Sequence, residues 1–156
     1  ITISSNNLMA NIILCDIDGT VADNSHRQHF LEGKKDWDGF FSELVNDLPI
    51  HSVISLVKNE QAKGKEVIFL TGRPERYRYS TTLWLKNYFN FEFKLLMRKD
   101  NDQTNKIIVK EEIFDENFSK DQIDYVIDND EQLLEMWERK GINIISAAEI
   151  INQSSP

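Results

Sequence analysis

The stretch "LCDIDGTVADNSHR", residues 14–27, decides the fold because it joins a buried strand to two closely spaced carboxylates. An apolar run at residues 12–14 continues directly into Asp16 and Asp18, and Gly19 follows at once. A strand inside a hydrophobic core has no reason to end in two negative charges unless that edge of the sheet binds a ligand. The stretch therefore predicts a functional site at the carboxyl end of the first strand.

Five short apolar runs, rich in Ile, Val and Phe, are typical of strands buried on both faces of a parallel sheet. They occupy residues 11–17, 66–71, 93–97, 124–128 and 142–146. Segments with the apolar spacing of helices lie between them; in the clearest one, Asp130 is expected to cap the helix and Gly141 to end it. The alternation predicts an α/β fold, a three-layer sandwich around a five-stranded parallel, doubly wound sheet with a minimal cap.

The composition is that of one globular domain. The chain has 156 residues, of which 40% are hydrophobic and 28% charged, and its formal net charge is −8. This acidic balance argues against stable binding of long nucleic acid, which Lys and Arg drive. One cationic pocket would still accept a small phosphorylated ligand.

Compartment and boundaries are predicted from three further features. The single cysteine, Cys15, cannot form an internal disulfide, no apolar run is long enough for a membrane helix, and no basic stretch followed by an apolar one marks a signal peptide. We therefore expect a cytoplasmic protein with no membrane contact. Residues 1–8, which precede Met9, are expected to be a disordered leader or cloning remnant, and residues 9–156 a single domain.

Polar residues follow three of the five predicted strands. They are Asp16 and Asp18 after the first, Thr71, Gly72 and Arg73 after the second, and Asp128, Asn129 and Asp130 after the fourth. Doubly wound folds bind their ligands at the carboxyl ends of the strands. Converging carboxylates repel one another unless a cation lies among them, and oxygen ligands suit Mg²⁺. Aspartates are also common as caps and turn formers, but their coincidence at three strand ends favours a site.

These motifs resemble those of the haloacid dehalogenase (HAD) superfamily of phosphatases. "DIDGT" (16–20) is similar to the first motif, "TGR" (71–73) to the second, and "DND" (128–130) to the fourth. Longer stretches, "IVKEEIF" and "IDNDEQLLEMWERKGI", look like the phosphatase domains of bacteriophage polynucleotide kinase–phosphatases, over about residues 11–147. The sequence contains no Gly-rich phosphate loop of a kinase, GxxxxGK[ST].

The resemblance implies a phosphomonoester hydrolase that acts through an aspartyl-phosphate intermediate. Asp16 would be the nucleophile, and Asp18 the general acid that protonates the leaving oxygen and then the base that activates water. Thr71 would donate a hydrogen bond to a phosphoryl oxygen, and Lys110 would neutralise its growing charge. Lys106 lies four residues before Lys110 on the same helix face, so the spacing leaves open which of the two points inward.

The resemblance also implies a Mg²⁺ cofactor. Asp16, the main-chain carbonyl of Asp18, Asp128 and Asn129 are the expected ligands. Asn129 stands where the family has a second aspartate, which lowers the local negative charge. Asp130 either substitutes for that carboxylate or serves only as the helix cap.

Five residues are expected to bind the substrate on the same grounds: Gly19, Thr20, Arg27, Gly72 and Arg73. Guanidinium groups suit a bidentate grip on phosphate. Basic residues at 73–80 and 98–106 predict a cationic surface around the entrance, and Arg98 either faces the pocket or lies outside it.

The implied substrate is a phosphorylated molecule, with a DNA or RNA 3′-phosphate favoured because residues 21–64 leave no room for a large cap. Phe30, Trp37, Phe40 and Phe41 could form a stacking wall for a base, although packing against the sheet is the simpler interpretation. A phosphatase of free nucleotides or other small phosphomonoesters is the alternative enzyme. A non-catalytic domain that binds a phosphorylated ligand is the alternative of another class.

Overall fold

Strands account for the centre of the molecule. The computed structural model describes residues 10–154, and within them lie the strands β1 (Ile12–Cys15), β2 (Ala22–Asp23), β3 (Leu48–Pro49), β4 (Glu66–Pro74), β5 (Lys94–Arg98), β6 (Ile123–Asp128) and β7 (Ile144–Ser146). Five of them form a parallel sheet in the order β5-β4-β1-β6-β7, and β2 and β3 form a small antiparallel pair. This confirms the predicted parallel sheet, with β1 at its centre.

Helices cover both faces of this sheet. They are α1 (Trp37–Ser42), α2 (His51–Ala62), α3 (Arg78–Tyr88), α4 (Lys106–Asn117), α5 (Glu131–Arg139) and α6 (Ala147–Ser154). Short 3₁₀ turns occur at Ser25–Leu31, Leu44–Asn46, Glu75–Tyr77 and Lys120–Gln122. The α/β sandwich is as predicted.

Successive residues of β1 point to opposite sides of the sheet, and each side has its own hydrophobic core. Ile13 and Cys15 pack with α2, α3 and α6, whereas Ile12 and Leu14 pack with α4 and α5. Because both faces are covered, the strand reads as a continuous apolar run instead of an alternating one.

Helix α5 begins and ends as the sequence predicts. The Asp130 carboxylate accepts hydrogen bonds from the main-chain N–H groups of Gln132 and Leu133, and the chain turns at Gly141 with a φ of 79°. A glycine suits that left-handed conformation. The cap role expected for Asp130 is therefore confirmed.

The segment before α2 is only partly α-helical. The α-helix covers only Trp37–Ser42 and gives way to a 3₁₀ turn at Leu44–Asn46. Leaving the helix lets Leu44 pack against Phe40 and Phe41, and Asp47 then enters the interior. These residues form a small aromatic cap apart from the two cores of the sheet, so Phe40 and Phe41 are packed against one another and not against the sheet as expected.

Residues 1–8 lie outside the described residues, so the prediction of a leader stays a prediction. In residues 10–154, no helix is long and apolar enough to cross a membrane.

Candidate active site

The carboxyl ends of β1, β4 and β6 bring the predicted residues to one edge of the sheet. Asp16 directly follows β1, Thr71 lies within β4, and Asp128 ends β6, and all three are buried. Because β1 lies between β4 and β6, the three motifs meet around the residues that follow it. The convergence inferred from the strand ends is therefore present.

Lys110 links the two buried carboxylates. Its Nζ donates to Oδ1 of Asp16 at 2.6 Å and to Oδ2 of Asp128 at 3.1 Å. Lys106 instead points outward and forms an ion pair with Asp130 at the surface. Of the two lysines left open by the spacing, Lys110 is the one that faces the site.

The first aspartate of "DIDGT" lies in an environment that disfavours its charge. Burial and the neighbouring Asp128 raise the pKa of Asp16 to about 7, although Lys110 opposes the shift. Burial also opposes the charge of Lys110, but Asp128 and Asp16 overcome it and raise the pKa of that ammonium group. Two carboxylates face one ammonium here, so the group keeps an excess negative charge.

The second aspartate lies in the opposite environment. Arg27 Nη2 donates to Oδ1 of Asp18 at 2.6 Å, and Arg73 donates to both its oxygens, Nη2 to Oδ1 at 2.8 Å and Nε to Oδ2 at 3.1 Å. Burial works against ionisation of Asp18, but Arg73 and Arg27 prevail and lower its pKa to about 2. Two carboxylates separated by one residue thus have pKa values shifted in opposite directions.

Asp47 is the buried residue that sequence reasoning missed. Its carboxylate accepts from Nε of Arg27 at 2.8 Å, from Nη2 of Arg27 at 2.7 Å and from Nη2 of Arg73 at 3.3 Å. His26 contacts the same carboxylate at 2.7 Å, and Trp84 donates its indole N–H to the Asp47 main-chain oxygen. No local motif marks Asp47, because its partners come from distant parts of the chain.

The two predicted substrate arginines are therefore engaged within the protein. Both guanidinium groups are buried between Asp18 and Asp47, and the ring of Phe40 lies 4.3 Å from the Arg27 guanidinium carbon. Thr81 accepts a further hydrogen bond from Arg73. A direct contact of either arginine with substrate stays a prediction.

The small residues of the motifs line the same edge. Thr20 donates its hydroxyl hydrogen to Oδ2 of Asp16 at 2.9 Å, and the Thr71 hydroxyl accepts from the main-chain N–H of Arg73 at 3.2 Å. Gly19 has a φ of 78°, and a Cβ there would collide with the Asn129 amide. Only glycine permits both the turn and that close approach.

Three oxygen atoms face one another beside Asp16. Oδ1 of Asn129 lies 3.0 Å from Oδ2 of Asp16 and 3.1 Å from the main-chain oxygen of Asp18. Rotating the Asn129 amide would let its Nδ2 donate to both oxygens. A cation among the three oxygens would also remove their repulsion, and neighbouring ligands of octahedral Mg²⁺ are ~3 Å apart. The residues present therefore fit a magnesium ion.

The remaining ligand expected for this ion is Asp128. Its Oδ1 accepts from the main-chain N–H groups of Asn129 at 2.8 Å and Asp130 at 3.4 Å, while its Oδ2 contacts Lys110. In residues 10–154, no three His, Cys, Asp or Glu side chains converge as a metal centre. Amide and main-chain oxygens would have to complete the coordination.

Part of the cationic surface predicted around the entrance is neutralised by ion pairs. Arg76 forms an ion pair with Asp38 at 2.7 Å, and Arg78 forms one with Glu75 at 2.7 Å. Because each of these charges has a local acidic partner, the surface is less positive than the sequence composition suggests.

Cys15 takes no part in this chemistry. Burial, with the nearby charges of Asp16 and Asp128, raises the pKa of its thiol well above the usual value. A buried neutral thiol behaves as a small apolar residue, as expected.

Comparison with known proteins agrees with this geometry. The chain matches the family model described as "Polynucleotide kinase PNKP phosphatase domain" over residues 10–149. The chain belongs to this family. It is a phosphatase of the HAD superfamily, as the resemblance of its motifs implied.

Relatives of the family are longer proteins. A chain in the structure of the Pnkp1/Rnl/Hen1 RNA repair complex is 28% identical, with a TM-score of 0.74, and the match covers 88% of this chain and 42% of that one. A "Putative bifunctional polynucleotide kinase/RNA ligase" of Autographa californica nuclear polyhedrosis virus is 25% identical over 128 residues, 81% of this chain and 17% of the viral protein. The chain thus spans less than half the length of both.

A more distant match concerns the fold alone. A HAD-superfamily hydrolase from Geobacter sulfurreducens PCA is 14% identical with a TM-score of 0.51, over 92% of this chain and 90% of that one. The parallel sheet and its flanking helices are therefore shared with that hydrolase.

Proposed function

We propose that this phosphatase removes 3′-phosphates from polynucleotide ends through an aspartyl-phosphate intermediate, with Mg²⁺ as cofactor. The observation that carries the proposal is the contrast between Asp16 and Asp18. One carboxylate lies against Lys110 and Asp128, the other between two guanidinium groups, and their pKa values are shifted in opposite directions. Two carboxylates whose pKa values are shifted apart in this way are suited to separate roles, one as nucleophile and the other as general acid and base.

In the first step, a carboxylate oxygen of Asp16 attacks the phosphorus atom. The bond from phosphorus to the 3′-oxygen breaks, and the departing oxygen takes a proton from Asp18. Lys110 is placed to neutralise charge on the phosphoryl group because its ammonium already contacts the nucleophile. Thr71 supplies a hydroxyl hydrogen to a phosphoryl oxygen.

In the second step, the Asp18 carboxylate takes a proton from water. The resulting hydroxide attacks phosphorus, the bond to Asp16 breaks, and inorganic phosphate leaves with the Asp16 carboxylate restored. Asp18 ends this step protonated and ready for another turnover.

Asp18 must hold a proton when the leaving oxygen needs it, although its pKa is lowered to about 2 in the free protein. A substrate phosphate carries up to two negative charges. When it enters beside Asp18 it competes for Arg73 and Arg27 and repels the carboxylate, so the pKa of Asp18 rises. Binding of substrate therefore favours proton uptake by Asp18.

The metal would be held by Asp16, the main-chain oxygen of Asp18, Asn129 and Asp128. When bound, Mg²⁺ supplies the positive charge that Asp16 and Asp128 lack and that the phosphoryl oxygens require. Asn129 is suited to this role because its side-chain amide lies against Asp16 and the Asp18 carbonyl, and rotation of the amide presents either its oxygen or its nitrogen there.

A polynucleotide end is the favoured substrate for two reasons. The matched family is the phosphatase domain of polynucleotide kinase, and one relative takes part in an RNA repair complex. The cap is small, since only α1 and short 3₁₀ turns lie between β2 and β3, so the site stays accessible to the end of a strand.

A panel of substrates tests this proposal. Phosphate release in Mg²⁺ would be compared for 3′-phosphorylated oligonucleotides, 3′-mononucleotides, 5′-mononucleotides and sugar phosphates. We expect the highest kcat/KM with the 3′-phosphorylated oligonucleotides. Equal or higher kcat/KM with 5′-mononucleotides or sugar phosphates would replace this substrate by a small phosphomonoester.

A further inference from the structure

Arg98 is held in place by uncharged groups only. It ends β5, and its Nε donates to the Gly72 main-chain oxygen at 2.8 Å. Its Nη1 donates to the main-chain oxygens of Asp102 at 3.0 Å and Thr104 at 2.5 Å. Within residues 10–154, no hydrogen-bond acceptor contacts its Nη2. The guanidinium group is thus fixed in position while two of its N–H bonds stay unused.

The neighbouring arginines differ because each one is paired with a carboxylate. Arg27 and Arg73 share Asp18 and Asp47, while Arg76 and Arg78 pair with Asp38 and Glu75. In the part of the chain that the structure describes, Arg98 forms no such ion pair. Its positive charge feels the nearby Asp102 carboxylate but is not bound to it, unlike the charges of the paired arginines.

The carboxylates closest in sequence to Arg98 are directed to other donors. Asp100 accepts from the main-chain N–H of Arg76 at 2.9 Å, and Asp102 accepts from that of Thr104 at 2.9 Å. Arg98 is half-buried, and burial lowers its pKa, so it keeps its charge at some free-energy cost. A half-buried, immobilised guanidinium group with free N–H bonds is suited to bind an anion.

The position of Arg98 indicates which anion. Gly72, to which it is anchored, lies in β4 between Thr71 and Arg73 of the second motif. However, β5 lies two strands from β1, and adjacent strands are ~4.8 Å apart, so its backbone is about 10 Å from that of the nucleophile. Arg98 thus lies next to the second motif, on a strand farther from Asp16 than β4 and β6.

We infer that Arg98 binds a second phosphate of the substrate, a phosphodiester of the strand adjoining the 3′-terminal nucleotide. This inference rests on the proposed function and adds the group by which the enzyme would distinguish a strand end from a mononucleotide. Since the guanidinium is already ordered by three carbonyls, little side-chain entropy is lost when it binds.

The test compares substrates with and without a second phosphate. Arg98→Gln removes the charge while keeping a similar length, and Arg139→Gln makes the same change at an exposed position on α5. Kinetics would be measured with a 3′-phosphorylated trinucleotide and with p-nitrophenyl phosphate, which carries only the phosphate to be removed. Melting temperatures would establish that both variants are folded.

For Arg98→Gln we expect kcat/KM on the trinucleotide to fall about ten- to a hundredfold, mostly through KM, as befits loss of one charge-assisted contact. On p-nitrophenyl phosphate, the kcat/KM of Arg98→Gln should stay within about twofold of wild type. The control Arg139→Gln should stay within the same limit on both substrates. Equal losses on both substrates would assign Arg98 to the transferred phosphoryl group and overturn the inference. So would unchanged kinetics on the trinucleotide.

A binding measurement separates this inference from the proposed function. The Asp16→Asn protein, unable to turn over, would be titrated with the 3′-phosphorylated trinucleotide, with and without Arg98→Gln. A Kd about ten- to a hundredfold weaker in the double variant supports the Arg98 contact even if the wild-type enzyme hydrolyses no polynucleotide. An unchanged Kd, or no binding by either protein, rejects it.

Discussion

Replacing Asp47 by Asn removes one of the two negative charges that face two buried arginines. Arg27 grips Asp47 with Nε and Nη2 at 2.8 and 2.7 Å, and Arg73 reaches it at 3.3 Å. In the wild type, two guanidinium groups face two carboxylates, Asp18 and Asp47, so the buried charges balance. The variant keeps the shape of the side chain but leaves one excess positive charge in the interior.

The expected loss of stability is large because the pair is buried. Breaking a buried ion pair by removing one partner costs about 3–5 kcal/mol. For a chain of this size each kcal/mol lowers Tm by about 2–4 °C, so a decrease of roughly 6–20 °C is expected. Catalysis should fall as well, chiefly in kcat, because Arg27 and Arg73 lose the anchor that fixes them on Asp18.

A surface aspartate provides the matched control. Asp124 forms an ion pair with Lys65 at 2.9 Å, but both side chains are partly exposed. Asp124→Asn makes the same chemical change and should cost less than about 1 kcal/mol. Melting curves from circular dichroism and steady-state kinetics on one phosphomonoester would be measured for both variants. If Asp47→Asn melted within about 2 °C of wild type and kept its kcat, Asp47 would not be what holds the arginines.

Three further results are expected. Asp16→Asn should abolish phosphate release without lowering Tm, because it removes the proposed nucleophile and only one of the two carboxylates that face Lys110, which stays paired with Asp128; turnover above a few per cent of wild type contradicts the assignment. Lys110→Met should reduce kcat/KM at least a hundredfold and Lys106→Met about threefold at most, since only Lys110 contacts Asp16; similar losses would contradict this. Mg²⁺ should raise Tm more at pH 8 than at pH 5.5. Burial and Asp128 raise the pKa of Asp16 to about 7, and at a pH below that value the ion must displace a proton from the carboxyl group. A larger shift at pH 5.5 would count against this ion's binding at Asp16.

The raised pKa of Asp16 also determines how the stability of the metal-free fold changes with pH. A carboxyl group whose pKa rises on folding binds more protons in the folded than in the unfolded protein, between its ordinary pKa and the raised one. The Asp16 carboxyl therefore makes the metal-free fold less stable as pH rises towards 7. Bound Mg²⁺ would offset the charge that causes this loss.

Local patterns were sufficient to predict the sheet and the motif residues. Buried strands gave continuous apolar runs, and the residues directly after them had to lie at one edge because the strands are parallel. The Asp130 cap and the Gly141 turn depend on neighbours within a few residues, so they too could be predicted.

Charge partners could not be predicted in this way. Asp47 is one of 26 acidic residues, and its role depends on Arg27 and Arg73, which are 20 and 26 positions away. The surface around Arg76 looked cationic because its partner Asp38 belongs to a different element. Such pairings arise from tertiary packing and leave no periodic signal in the chain.

The spacing of the two aspartates in "DIDGT" matters because it assigns them to two separate groups of charges. Asp16 joins Lys110 and Asp128, where two carboxylates face one ammonium, and this excess negative charge attracts a cation. Asp18, beyond the buried Ile17, joins the balanced group of arginines and Asp47. A phosphate that approaches this edge would add negative charge beside Asp18 and so favour its protonation. A cation beside Asp16 and Asp128 would keep Asp16 ionised. In the proposed mechanism, the one buried residue between them would thus allow a single strand end to present a charged nucleophile and a proton donor together.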